Sequence, residues 1–239
     1  MAPDRRRLAG SILTAVFAVS ILMNTLSDRR EDRFALACVA WVVVLEIALG
    51  ISPQADRMTW ALENAPAWLG VGLWLGTRRR FQLSRFCLAM LAAHSVCLMV
   101  GGYYTYAKVP LGDWAKDAFH LGRNHYDRFG PFIQGFVPAI FVRELLLRVA
   151  RLPRSRWIPF LVVSVCLAFS ACYEFVEWWT ALLTGEAAND FLGTQGDPWD
   201  TQWDMFCCFA GAIVSQLTTP WIHDRSMKRI DGTLLNDGH

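Results

Sequence analysis

Long apolar runs divided by short, strongly basic loops dominate this chain and leave it few folds. A bilayer core of roughly 30 Å takes about 20 apolar residues as helix. Within lipid the backbone must satisfy its own polar groups, which excludes open sheets and lipid-exposed loops. Seven stretches reach or approach that length, at residues 8–26, 34–51, 60–76, 86–102, 132–149, 157–179 and 205–221. The third is the weakest, because it carries Glu63 and Asn64. The pattern predicts an all-α fold: a polytopic transmembrane helix bundle of about seven spans in a single transmembrane domain, residues 1–239. Residues 1–33 form an additional N-terminal span with its basic loop, and residues 222–239 a cytoplasmic tail. Arg5, Arg6 and Arg7 before the first run also fit a signal peptide, but no small-x-small cleavage site follows. The count is six if that first segment does not cross.

Lys and Arg accumulate in cytoplasmic loops. Three basic clusters (Arg78–Arg80 with Arg85; Arg148, Arg151, Arg154 and Arg156; Arg225, Lys228 and Arg229) alternate correctly if all face the cytoplasm, which puts the C-terminus inside. The opposite loops and their flanks hold twelve acidic residues against five basic ones, so the polar residues gather on an acidic outer surface. The N-terminal arginines then fall outside, against the rule. A net charge of +2 with no basic domain gives nucleic acid nothing to bind. The seven Cys lie inside predicted spans without CxxC or zinc-ribbon spacing, and read as small apolar filler. No GxSxG, HExxH, Walker or Rossmann motif is present.

Polar groups inside a membrane are costly and often mark function. Four predicted span ends carry them. At the first, Glu63 sits one turn into a helix, either paired with Arg57 or serving a site. The second follows Tyr103, Tyr104 and Tyr106. There Leu111, Trp114, Ala115, Ala118 and Phe119 recur at helical spacing opposite Asp113, Lys116, Asp117 and His120, which predicts one short interfacial amphipathic helix ending near Gly122. The third is His125-Tyr126-Asp127-Arg128, with Pro131, Gln134 and Pro138 on the face of Asp127. Asp127 also fits a helix cap, and Arg128 fits a side chain reaching phosphate.

The fourth is the densest. Glu174 and Glu177 are neighbours at i, i+3, where like charges repel unless a cation, a proton or an Arg intervenes. Asp200, Asp204, Cys207 and Gly211 stack on one face of the last span. Asp197 suits an N-cap, Pro198 the first helical position and Asp200 the first turn. Trp178, Trp179, Trp199 and Trp203 suit an interfacial belt. Capping leaves Glu174, Glu177 and Asp204 unexplained. Oxygen ligands at this density suit a divalent cation such as Mg²⁺, Mn²⁺ or Ca²⁺, with His120 or His125 as further donors.

The runs Gly101-Gly102-Tyr103-Tyr104-Thr105-Tyr106, Asn124-His125-Tyr126-Asp127-Arg128 with Gln134-Gly135 and Pro138, Tyr173-Glu174 with Glu177-Trp178, and Gly193-Thr194-Gln195-Gly196-Asp197 with Trp199-Asp200 and Gln202-Trp203-Asp204 resemble the YjdF-type family of bacterial inner-membrane proteins. The resemblance runs from about Ile51 to Leu217. It implies the bacterial inner membrane as location and no defined activity. It also implies a His after Asp-Arg-x-Gly, where this chain has Pro131; if that His is a ligand or base, activity here is altered or absent. A looser similarity to VanZ-like membrane proteins aligns Asp127-Arg128, Glu174 and Asp200 or Asp204 in order.

Three functions fit these residues. One is action on, or binding of, a lipid or lipid-linked envelope molecule at the acidic outer pocket. Asp127, Arg128, Glu174, Glu177, Asp200 and Asp204 are then the catalytic candidates. Glu174, Glu177 and Asp204 are the metal candidates. Tyr104, His125, Tyr126, Gln134, Gln195, Trp199 and Trp203 are the substrate-binding candidates. A second is transport of a small solute or ion, for which Glu46 and His94 are the midplane candidates, although His94 also suits an interhelical hydrogen bond. The third is a structural or partner-binding role. The bilayer is the one partner read directly from the sequence.

Overall fold

The computed structural model describes residues 30–184, 192 and 194–236. The first apolar segment therefore lies outside the described residues. Among them there are eight α-helices and no strand: α1 (Arg30–Gly50), α2 (Arg57–Thr77), α3 (Arg85–Tyr104), α4 (Pro110–Phe119), α5 (Tyr126–Glu144), α6 (Trp157–Thr184), α7 (Asp200–Thr218) and α8 (Pro220–Asn236).

Length and apolarity let three helices cross a membrane: α1 through Arg33–Gly50, α3 and α6. The pair α7–α8, bent by 67°, raises this to four. The expected seven is not reached by these criteria. The first expected span lies outside the described residues, and among these the shortfall lies in α2, which carries Glu63 and Asn64, and α5, which carries Asp127, Arg128, Arg143 and Glu144. Both are of membrane length, 21 and 19 residues, or about 30 Å of helix.

Helix α5 is the centre. Its Ala139 and Ile140 are fully buried, one packing with Val162, Cys166, Cys208 and Ala212 of α6 and α7, the other with Ala35, Leu36 and Cys87 of α1 and α3. The α5–α7 contact is the most extensive in the fold. Glycine makes it: a Cβ on Gly135 would run into the backbone carbonyl of Cys208, and one on Gly211 into that of Phe132. Small residues let two membrane helices meet backbone to backbone, where dispersion and weak polar contacts replace the hydrophobic effect.

The outward faces are apolar. In α6, Phe160, Phe169, Phe175, Trp178, Trp179 and Leu183 are all exposed, as befits a helix bounded by lipid chains. Helix α4 is the expected amphipathic helix, with Leu111, Trp114 and Phe119 exposed; His120 ends it in the left-handed conformation and bonds back to Lys116 O. His94 does not make the expected interhelical bond through Nε2, which is buried without a partner. Glu46 accepts from Trp68 Nε1 at 2.8 Å.

The two ends of the bundle differ. One holds the turn at 51–56, whose Gln54 and Ala55 amides bond Tyr103 O, together with α4 and the starts of α5 and α7. The other holds a buried network that local sequence patterns gave no sign of. Glu144, fully buried, accepts from Ser84 N at 2.7 Å, Ser84 Oγ at 2.6 Å, Arg148 at 2.6 Å and His223 Nε2 at 2.9 Å. Arg143 bonds His223 Nδ1 at 3.2 Å and pairs with Asp224 at 2.8 Å, which also takes Arg154 at 2.6 Å. His223, Met227 and Ile230 form the buried stripe of α8. Residues 222–230 are therefore helix docked on the bundle.

Candidate functional site

Helix α7 starts two residues later than its cap signals predict. Its N-cap is Trp199, with no side-chain cap bond. Asp197 instead closes a turn onto Thr194 O and receives Trp199 N at 2.9 Å. Its other oxygen is taken by two arginines, Arg123 at 3.0 Å and Arg128 at 2.9 Å. Asp200 Oδ1 sits between the same two, at 3.2 and 2.8 Å. Arg123 also pairs with Asp127, one turn on, and Arg128 with Asp204 at 2.8 Å. Two guanidinium groups thus tie α5 to the start of α7 through four aspartates. Arg128 lies over the Trp203 ring as well, 6.0 Å from its centroid.

Gln195, held at φ 50° in the left-handed region, locks this arrangement. Its Nε2 donates to Asn124 O at 3.0 Å and to Asp127 at 2.7 Å, and its Oε1 accepts from Asn124 N at 3.2 Å. Asn124 in turn caps Tyr126 N and donates to Val109 O and Asp113.

Behind the ion network lies a cavity of about 50 Å³, room for a few waters or a small polar group. Its wall is drawn from α2 (Glu63), α5 (Asp127, Pro131, Gln134), α6 (Ser170, Tyr173, Glu174, Glu177) and α7 (Asp200, Asp204), closed by Tyr106 and Leu192. The four helix ends singled out in the sequence meet here. Helical spacing explains the lining: 127, 131 and 134 share a face of α5, and 170, 173, 174 and 177 share a face of α6.

The expected site residues divide. Asp127, Gln134, Glu174, Glu177, Asp200 and Asp204 line the cavity. Arg128 and Gln195 stand outside its wall, bonded to those that do. Tyr104, His125, Tyr126, Trp199 and Trp203 do not line it. Tyr104 meets Tyr103 edge to face, Tyr126 donates to Cys97 O at 3.1 Å, and His125, Trp199 and Trp203 are exposed. Of the remaining wall, Ser170 carries no signal in the sequence, and Tyr106 none that marks it as a wall residue. Tyr106 has one in retrospect, because Gly101 and Gly130 are small where its ring lies: a Cβ on either would strike it.

Charge in the cavity is unbalanced. Glu63 is 6% exposed and makes no hydrogen bond or ion pair among the described residues; Arg57, its expected partner, reaches Ile51 O instead. Glu177 faces Glu174, Glu63, Asp204 and Asp200 as like charges. Glu174 accepts from Thr201, and its Oε2 is buried without a partner. The Tyr106 hydroxyl is buried and unpartnered too. Glu174, Glu177 and Asp204 share this wall, and no group of three or more His, Cys, Asp or Glu among the described residues meets the spacing of a metal site. Their geometry gathers acids around a space, not around a point.

Apolar-faced helices of membrane length, closing on a polar cavity at one end, define a multi-pass α-helical membrane protein. The chain belongs to the family described as predicted membrane protein (DUF2238), which matches residues 34–225. It is 45% identical over 188 residues to inner membrane protein YjdF of Escherichia coli (strain K12), covering 79% of this chain and 90% of that protein. No solved structure matches it.

Proposed function

We propose that this protein is a ligand-binding protein of the bacterial inner membrane, with its site in the carboxylate-lined cavity at the outer surface. In this reading α2 and α5 also cross the bilayer, their polar residues shielded by neighbouring helices, and the basic end and α8 face the cytoplasm. The observation that carries the reading is Glu63. A carboxylate buried without a partner costs several kcal/mol, and such a cost persists where an external group supplies the missing partner. A scaffold role for the acids would have matched each with a donor, as Glu144 is matched at the other end.

Two earlier alternatives lose support. Arg128 is engaged by three aspartates, so it offers no open cation to a lipid phosphate. Glu46 and His94, the midplane candidates for transport, are not in the cavity wall. A lipid or lipid-linked ligand remains within the proposal, provided that the part entering the cavity is not anionic.

The test is thermal unfolding of the detergent-purified, delipidated protein at pH 8, beside Glu63→Gln and Glu177→Gln. Binding residues that repel one another in the empty site raise stability when neutralised, so both variants should melt above the parent. Melting below the parent in both would make the acids structural and overturn the reading.

A further inference from the structure

We propose that the group this cavity binds is a primary ammonium, held by Glu63, Glu174 and Glu177 with the Tyr106 hydroxyl as a fourth acceptor. The inference rests on the binding-site reading above and names its ligand class.

Charge comes first. Of the six carboxylates in the wall, Asp127, Asp200 and Asp204 are paired with Arg123 and Arg128. Glu63, Glu174 and Glu177 have no cationic partner among the described residues. A cationic ligand would supply the missing charge, whereas an anion would face six carboxylates.

Geometry then selects among cations. A bare divalent ion needs several oxygens converging within about 2.0–2.6 Å of one point, and no such grouping occurs among the described residues. A quaternary ammonium is recognised by open aromatic faces. The wall offers two rings, Tyr106 and Tyr173, and the Tyr106 ring is hemmed in by Gly101 and Gly130, short of the aromatic cage such a group takes. A primary ammonium carries three N–H donors and no acceptor. It matches a wall of unpaired carboxylate oxygens together with a hydroxyl that is more than nine-tenths buried and unpartnered. Tyr106 and Glu63 are the independent pointers: both are buried residues of the wall, and the Tyr106 hydroxyl has no hydrogen-bond partner. The ammonium can belong to a free amine or to the ethanolamine head of a lipid.

The experiment uses the full chain. Delipidated protein in detergent is titrated with ethylammonium chloride, tetramethylammonium chloride and MgCl₂ at matched ionic strength, following thermal unfolding. The same protein is then placed in nanodiscs of phosphatidylcholine alone or with phosphatidylethanolamine. The expected result is a saturable rise in Tm with ethylammonium, absent with tetramethylammonium and with Mg²⁺. The apparent Kd should weaken at least tenfold in Glu63→Gln and in Glu177→Gln, and severalfold in Tyr106→Phe, which keeps the packed ring. A rise confined to phosphatidylethanolamine discs, lost in the same variants, assigns the ammonium to a lipid head. No response to either amine, or a saturable Mg²⁺ response lost in Glu63→Gln, overturns the proposal. If the Glu→Gln variants melt above the parent yet no amine acts, only the ammonium assignment fails; if they melt below it, the binding site itself fails.

Discussion

Arg128 Nη1 lies 2.8 Å from Asp204 Oδ1, while its Nη2 reaches Asp197 and Asp200 at 2.9 and 2.8 Å. One planar fork therefore holds three carboxylates from the start of α7 and the turn before it. Lysine keeps the charge but not the fork. We predict that Arg128→Lys lowers stability by about 1–2 kcal/mol and Arg128→Gln by about 3 kcal/mol, since breaking a largely buried pair strands its acids. Thermal unfolding in detergent reads this. Equal loss in both variants would show that the fork and not the charge is decisive, and no loss in Arg128→Lys would show that charge alone suffices.

The backbone contact of α5 with α7 should be intolerant of a single methyl. Gly135→Ala and Gly211→Ala each force carbonyls of the partner helix aside, an overpacking cost of about 1–3 kcal/mol. Gly70→Ala, where nothing lies within reach of a Cβ, should be neutral or mildly stabilising, because alanine is the better helix former. Melting temperatures of the three variants compare them directly.

Asp56 caps α2, accepting from Met58 N at 2.9 Å and Thr59 N at 3.0 Å. Partial burial raises its carboxyl, but hydrogen bonds from Thr59 and from the local amides outweigh this and hold it below its ordinary value. A group whose folded value is depressed contributes stability above its unfolded value and loses it as pH falls through the folded one. The cap should therefore hold at neutral pH and weaken at acid pH, below the usual aspartate range. Asp56→Ser should keep the cap without this acid dependence, and Asp56→Ala should cost about 1 kcal/mol at pH 7. Unfolding curves recorded from pH 7 down to pH 3 distinguish the three proteins.

At the basic end, Glu144 is satisfied by Ser84, Arg148 and His223 together. Glu144→Ala should cost about 3–5 kcal/mol, as removal of one partner from a buried ionic network does. His223→Ala should loosen α8 from the bundle. Limited trypsin digestion reads the second effect: cleavage at Arg225 and Lys228 should be faster in the variant than in the parent.

Much of this architecture is visible in the residues. The apolar runs marked α1, α3 and α6 closely, because a membrane helix is recorded in consecutive residues. Helix periodicity also put Asp127 with Gln134 and Glu174 with Glu177. Boundaries were less legible. The run at 205–221 passes through the bend at Thr219 and Pro220, and the run at 132–149 begins six residues inside α5, whose first turn is polar. Tyr104 was the candidate, yet Tyr106 lines the cavity: the helix ends at Tyr104, and Thr105, at φ 67°, turns the chain before Tyr106. Arg128 read as a phosphate ligand because its three partners lie 69–76 residues away. The Glu144–His223 pair, 79 residues apart, had no local signature at all.

Glycine at 135 and 211 fuses α5 and α7 into one rigid jaw, and the arginine bridges clamp its tip. Nothing on that side can yield without breaking ion pairs or backbone packing together. The opposite jaw is α6, most of whose surface faces outward and whose Tyr173 hydroxyl meets the Leu62 carbonyl of α2 at 3.5 Å. Any widening of the cavity for a larger guest is therefore expected on the α6 side, beside the exposed tryptophans Trp178 and Trp179.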